Sequence, residues 1–366
     1  MKIKAAVIHE KNGPYLFEEV ELATPNQDEL LVKIVASGIC HTDEFGRSMG
    51  IPIALPLVLG HEGAGIVEQV GANVKGFEVG DHVAFSYAYC GHCPTCASGE
   101  PYYCEHFNEI NFGGVAGDGE TKISQNGKPV SMFFGQSSFA THSIVNQDSV
   151  VKVDKDVDLT LVAPLGCGVQ TGAGTVINAL KPRVSSTIAI FGCGSVGLSA
   201  IMAAKISRCS KIIAVGGNAK SLELAKELGA THTVNRKEVS DIVEEIKKIT
   251  DGRGVNYSID TSGNGPFIQT AIKSLAYHGQ LAALAPDGVI EKFNIGEDVL
   301  VNMRSIHGIC EGNSIAQVFI PEMIDLYKRG QFPLDKLVTV YDFEDIEKAV
   351  EDSNQGKVIK AVLKMK

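Results

Sequence analysis

Four cysteines, Cys90, Cys93, Cys96 and Cys104, stand in the spacing C-x2-C-x2-C-x7-C. Four thiolates this close along a chain can converge on one tetrahedral ion, with Zn–S distances of about 2.3 Å. A shell of four sulfurs leaves no exchangeable position, so a zinc held this way is structural. The same spacing also admits an iron–sulfur cluster, a pair of disulfides, unpaired thiols or a nucleic-acid-binding zinc ribbon.

Three further residues sit apart in the chain. Cys40 lies in Gly38-Ile39-Cys40-His41-Thr42-Asp43, His61 in Gly60-His61-Glu62-Gly63, and Cys167 in Gly166-Cys167-Gly168. Taken singly, a cysteine reads as a small buried hydrophobe and a histidine as an ordinary surface or core residue. Together they offer two thiolates and an imidazole, a catalytic zinc shell that keeps one position open. Their neighbours suit that chemistry. Asp43 could hold the second ring nitrogen of His61. The Thr42 hydroxyl could take an alcohol proton. Glu62 either exchanges as a ligand or places a charge beside the site.

A third group handles phosphate. The apolar run Ile188 to Phe191 leads into Gly192-Cys193-Gly194-Ser195-Val196-Gly197 and then an Ala-rich helical run. G-x-G-x-x-G between a strand and a helix lets the backbone approach a pyrophosphate at the positive end of the helix. The next strand, Lys211 to Val215, should end in an acid if the ribose 2′-hydroxyl of NAD is to be bonded. Gly216 stands there instead, followed by Gly217, Asn218 and Lys220. A carboxylate would repel a 2′-phosphate, so its absence favours NADP over NAD.

The elements that must carry these groups change character along the chain. The first third is rich in strands and loops, with Leu30 to Ala36 and Gly65 to Val70 strand-like and Gly113 to Pro129 expected as a long surface lobe. After Thr171 short apolar strands alternate with helical stretches: Val196 to Ile206, Lys220 to Leu228, Asp241 to Ile249 and Phe267 to Ala276. That rhythm predicts an α/β, doubly wound parallel sheet. The tail, with helices over Ile315 to Lys328 and Phe343 to Glu351 and a strand over Val358 to Leu363, leaves the rhythm and is expected to return to the first domain.

Composition narrows the class. The 366 residues suffice for two domains, and 44% hydrophobic with 21% charged residues is a globular mix. A net charge of −10 argues against nucleic-acid binding. The longest apolar stretch, Ile51 to Leu59, is broken by Pro52 and Pro56 and too short for a membrane span. The N-terminus lacks the apolar core of a signal peptide, so a cytoplasmic protein is expected. Thiols held by metal agree with a reducing compartment.

In this order the motifs resemble the zinc-containing medium-chain alcohol dehydrogenases nearly end to end. At Cys40 to Asp43, Gly135-Gln136-Ser137-Ser138-Phe139-Ala140 and Pro164 to Gly168 the chain is similar to the bacterial aryl (benzyl) alcohol dehydrogenases. The resemblance implies a split, β-rich, GroES-like catalytic domain over 1–170 and 312–366 and a Rossmann domain over 171–311. It further implies zinc on Cys40, His61 and Cys167, a proton relay from Thr42, nicotinamide contact by Thr171, and basic groups near the pyrophosphate at His41 and Lys360. Two departures stand out. Phe45 replaces the histidine that continues the family's relay, and Gly216 replaces the ribose-binding acid of its NAD-dependent members.

The expected enzyme carries two zinc ions per chain, one catalytic and one structural. It moves a hydride between an aromatic or allylic primary alcohol and NADP, NAD being the second choice. Its partners are the small-molecule alcohol or aldehyde and its own copies, as a homodimer or homotetramer. Phe45 and a small Ser86 are expected to shape the pocket by the zinc. The alternatives are a polyol, formaldehyde-adduct or other aliphatic alcohol dehydrogenase and, from another class, an NADPH-binding redox sensor without turnover.

Overall fold

The computed structural model describes residues 1–285 and 288–366. They form two compact units: Met1–Gly168 with Ile315–Tyr327 and Leu334–Lys366, and Val169–Ser314 with Lys328–Pro333. The units change over at Gly168 and Ser314 rather than at 170 and 311, and Lys328–Pro333 groups with the second.

In the first unit the strand Glu29–Gly38 is buried at nearly every position, and both its edges are paired. Glu62–Val70 pairs along one edge; His142–Asn146 and then Lys360–Lys364 pair along the other, all antiparallel. The last strand thereby reaches the end of Glu29–Gly38, where Ile39 N–H donates to Ala361 at 2.9 Å. Phe85, Phe133 and Phe139 are fully buried in this unit. Each contributes about 1.5–3 kcal/mol of hydrophobic stabilisation.

Residues Gly113 to Pro129 are largely exposed, as a surface lobe should be, but they are not all loop. Within them Ile123–Gln125 pairs with Leu16–Leu22 and with Lys128–Val130 as part of a five-stranded antiparallel sheet. The turn is Asn126-Gly127, both at positive φ, the pair that closes a two-residue hairpin with the right twist. Ile123 and Val130 are buried. Lys122, also buried, is neutralised by Glu29 at 3.2 Å and by Asp118.

The second unit holds a six-stranded parallel sheet. Its order is His232–Asn235, Lys211–Gly216, Thr187–Phe191, Val255–Asp260, Leu275–Ala283 and Ser305–Gly308, which is 3-2-1-4-5-6 of a doubly wound nucleotide-binding fold. Helix Ser195–Ile206 follows the first strand and is buried from Gly197 to Ala204. Among the described residues no single helix is long and apolar enough to cross a membrane.

Candidate functional site

Cys40 caps a seven-residue helix, His41–Arg47, and its backbone N–H donates to Asp43 Oδ2 at 2.9 Å. The other oxygen, Asp43 Oδ1, accepts from Gly60 N–H at 3.1 Å and lies 2.8 Å from His61 Nδ1. One fully buried carboxylate therefore aligns the segments carrying Cys40 and His61 and leaves His61 Nε2 as the ring's free nitrogen. That atom is buried and has no hydrogen-bond partner among the described residues. The ring is fixed on its faces too, stacked on Phe134 at 4.5 Å and edge-on to Phe133 at 5.5 Å.

Cys167 follows the tight turn Ala163–Gly166, which is pressed on the strand His82–Phe85. A Cβ on Gly166 would fall 1.9 Å from the Phe85 carbonyl. Ser86 Oγ donates to the Gly166 carbonyl at 2.8 Å. This corrects Ser86 as a pocket wall: it is fully buried, and its hydroxyl positions the Cys167 turn.

Ligand atoms of Cys40, His61, Glu62 and Cys167 all lie within 4.8 Å of one another. A hydrogen bond from Cys167 and the nearby Lys360 ammonium hold the Cys40 thiol well below its usual pKa, against the effect of burial. Burial works against protonation of His61, but the Asp43 carboxylate beside it wins and raises its pKa well above the ordinary value. Two thiols, two buried carboxylates and an orphaned imidazole nitrogen are a donor set that fits a divalent cation, which would displace those protons.

Lys360, expected beside the pyrophosphate, pairs within the first unit. Its ammonium is 2% exposed, lies 2.6 Å from Glu62 Oε2 and donates to the Ile39 carbonyl at 3.0 Å. Glu62 Oε1 also accepts from Gly168 N–H at 3.1 Å. Glu62 thus ties the last strand to the Cys167 turn. Thr42 Oγ1 is 3.7 Å from Cys40 Sγ, His41 is exposed in the same helical turn, and the Phe45 ring lies against Gly50.

The second cluster is built on sulfur alone. Cys90, Cys93, Cys96 and Cys104 bring their Sγ atoms within 4.8 Å, with Cys90–Cys96 and Cys93–Cys104 each at 4.0 Å. A tetrahedron with Zn–S of about 2.3 Å requires S···S of about 3.8 Å. A disulfide requires about 2.05 Å. All nine cysteines are free, which removes the disulfide reading. Backbone N–H groups of Cys93 and Cys90 donate to Cys90 and Cys104 sulfur at 3.3 and 3.4 Å, as suits thiolates.

In the second unit, Gly192 turns the chain at φ 108°, and a Cβ on Gly197 would strike the Gly192 carbonyl at 1.9 Å. The space beside Gly194 is open, so a phosphate can reach the backbone between Gly194 and the first turn at Ser195 and Val196. The strand Lys211–Gly216 ends at Gly216, and Asn218 caps the following helix by accepting from Lys220 N–H at 3.0 Å. The Asn218 oxygen is therefore spent on the cap, while Lys220 is exposed. Thr171 Oγ1 donates to Glu311 at 3.3 Å.

Phe133 and Phe134 also belong to the site, and the sequence barely marks them. Phe134 holds φ 54°, a strained value for a bulky residue. The only local signal was the glycine two positions after Phe133. If Asp43 orients the metal ligands, Asp43→Asn should weaken zinc binding about 10- to 100-fold, because an amide NH2 would face the Cys40 N–H or the His61 ring. Competition with a chelator measures this; unchanged affinity would show that Asp43 does not orient the ligands.

Comparison with known proteins agrees over the whole chain. Residues 26–155 match the alcohol dehydrogenase GroES-like domain, and residues 195–329 match the zinc-binding dehydrogenase model. The chain is 41% identical to a geraniol dehydrogenase of Castellaniella defragrans, covering 98% of this chain and 97% of that one. The benzyl alcohol dehydrogenase structure from Acinetobacter calcoaceticus superposes with TM-score 0.95 at 43% identity, covering 100% of both chains. An alcohol dehydrogenase zinc-binding domain protein from Burkholderia ambifaria gives 0.96 at 43%, covering 100% of this chain and 99% of that one.

Proposed function

The chain belongs to the zinc-binding alcohol dehydrogenase family, and from that footing we propose that it interconverts an aromatic or allylic primary alcohol and its aldehyde with NADP(H). The observation that carries the metal assignment is His61 Nε2, buried, without a hydrogen-bond partner among the described residues, and close to the Cys40 and Cys167 thiols. Cys40, His61 and Cys167 would hold a zinc ion, which would supply Lewis acidity toward an alcohol hydroxyl or an aldehyde carbonyl. NADP supplies the hydride acceptor.

The chain's own residues do the rest. Asp43 keeps His61 in the tautomer whose Nε2 can ligate. Phe133 and Phe134 keep the ring still and shield it from water. Thr42 Oγ1 takes the proton of the alcohol oxygen; with Phe45 in place of a relaying base, the proton leaves past exposed His41 or through water. Glu62 and Lys360 hold the Cys167 turn in place. The four-cysteine cluster takes the structural zinc. The names of the relatives, one for an allylic and one for an aromatic alcohol, support the substrate class.

Initial rates over benzyl alcohol, geraniol, a polyol and S-(hydroxymethyl)glutathione test it. The highest kcat/KM should fall on benzyl alcohol or geraniol; preference for the polyol or the glutathione adduct would refute the substrate class. The cofactor reading rests on Gly216. A Cβ there would meet Cys193 Sγ at 3.2 Å and Leu222 at 3.4 Å, tight but on an ordinary backbone. Gly216→Asp should lower kcat/KM for NADP about 10-fold or more and favour NAD, since a carboxylate would meet the 2′-phosphate. Unchanged preference would contradict it.

A further inference from the structure

The end of the strand Lys211–Gly216 lacks an acid, but an acid's absence binds nothing. A positive group must take the 2′-phosphate if NADP is the cofactor. Lys220 was the cation nearest in sequence. The fold brings another one closer to the strand end.

Gly216 pairs in parallel register with Asn235, the last residue of the neighbouring strand, and Arg236 N–H donates to the Gly216 carbonyl at 2.8 Å. Arg236 therefore leaves the sheet at its carboxyl edge, where parallel sheets bind their ligands. Its side chain lies back across Gly217: a Cβ there would sit 2.8 Å from Arg236 Nε and 3.3 Å from Cζ. Two consecutive glycines thus leave room on the strand end for a guanidinium. Arg236 is exposed, and among the described residues its guanidinium has no hydrogen bond or ion pair. From Gly216 to Lys220 the chain offers no carboxylate to claim it.

We infer that Arg236 is the side chain that binds the adenosine 2′-phosphate and sets the preference for NADP over NAD; the inference rests on the cofactor reading above. A planar guanidinium matches phosphate oxygens in a two-pronged, charge-assisted contact that a 2′-hydroxyl cannot return. Gly217 contributes by its lack of a side chain, and Lys220 adds charge from the helix end.

The test is the dissociation constant of NADPH and of NADH for the zinc-loaded full chain, as wild type, Arg236→Gln and Arg236→Lys. Wild type should hold NADPH more tightly than NADH. Arg236→Gln should lose about 10- to 100-fold in NADPH affinity with NADH little changed, and Arg236→Lys should recover part of the loss. If wild type prefers NADPH and Arg236→Gln keeps that preference, the assignment to Arg236 is overturned while the cofactor reading stands. An equal loss for both nucleotides also overturns it, since that marks a structural role. If wild type prefers NADH, the cofactor reading itself fails and takes the inference with it.

Discussion

Cys167→Ala should leave the protein folded, with about one zinc per chain instead of about two, and almost without turnover. The effect is local. Cys167 reaches the cluster because the Ala163–Gly166 turn is pinned to Phe85 and Ser86, and those contacts survive removal of a sulfur. What is lost is one of the three proposed ligands, leaving Cys40 and His61 to hold an ion alone. Lewis-acid assistance is worth several kcal/mol, and each 1.36 kcal/mol is tenfold in rate, so kcat/KM should fall at least about a thousandfold. Nucleotide affinity should persist, because the glycine loop and the Gly216 edge belong to the other unit. Metal analysis, rates and an NADPH titration on one preparation check all three parts. Wild-type turnover in this variant would sink the metal assignment.

Cys96→Ser addresses the other cluster and should act on stability first. Helix Pro94–Ala97 is four residues long with none of them buried, so the lobe has little core of its own. Burial pushes the Cys96 thiol up to about 12, helped by its neighbour Cys93, and the Thr95 hydroxyl draws Cys93 down to about 5. Four crowded thiols cannot all ionise without a cation between them, so the ion that pairs them also holds the loop. Loss of one sulfur should cost at least about 2 kcal/mol and lower the Tm, while a freshly made sample keeps its Cys40–His61–Cys167 zinc. An unchanged Tm, with or without chelator, would show that the lobe does not depend on metal.

How much of this was legible in the sequence depends on where the information lies. The strand Thr187–Phe191 is apolar and followed at once by its glycine loop, so one short window contains both element and motif. The strands His232–Asn235 and Ser305–Gly308 were missed because they are short edge strands, mostly not buried, with no apolar run to mark them. Residue types at Cys40, His61 and Cys167 suggest metal, but the Asp43 carboxylate that aligns two of those segments is a fact of three-dimensional geometry. Lys360 and Glu62 are 298 positions apart, and their pairing follows from the last strand joining Glu29–Gly38. Arg236 lies 20 residues beyond Gly216 and becomes its neighbour only through the parallel register of two strands.

Zinc-dependent alcohol oxidation is tested by the initial rate of benzyl alcohol oxidation by NADP, measured on zinc-loaded protein and again after a chelator has removed the accessible ion. Turnover with NADP should exceed the rate with NAD, disappear on chelation and return when zinc is restored. No turnover of the alcohol by protein carrying both zinc ions, or a rate that survives loss of the catalytic zinc, would contradict it.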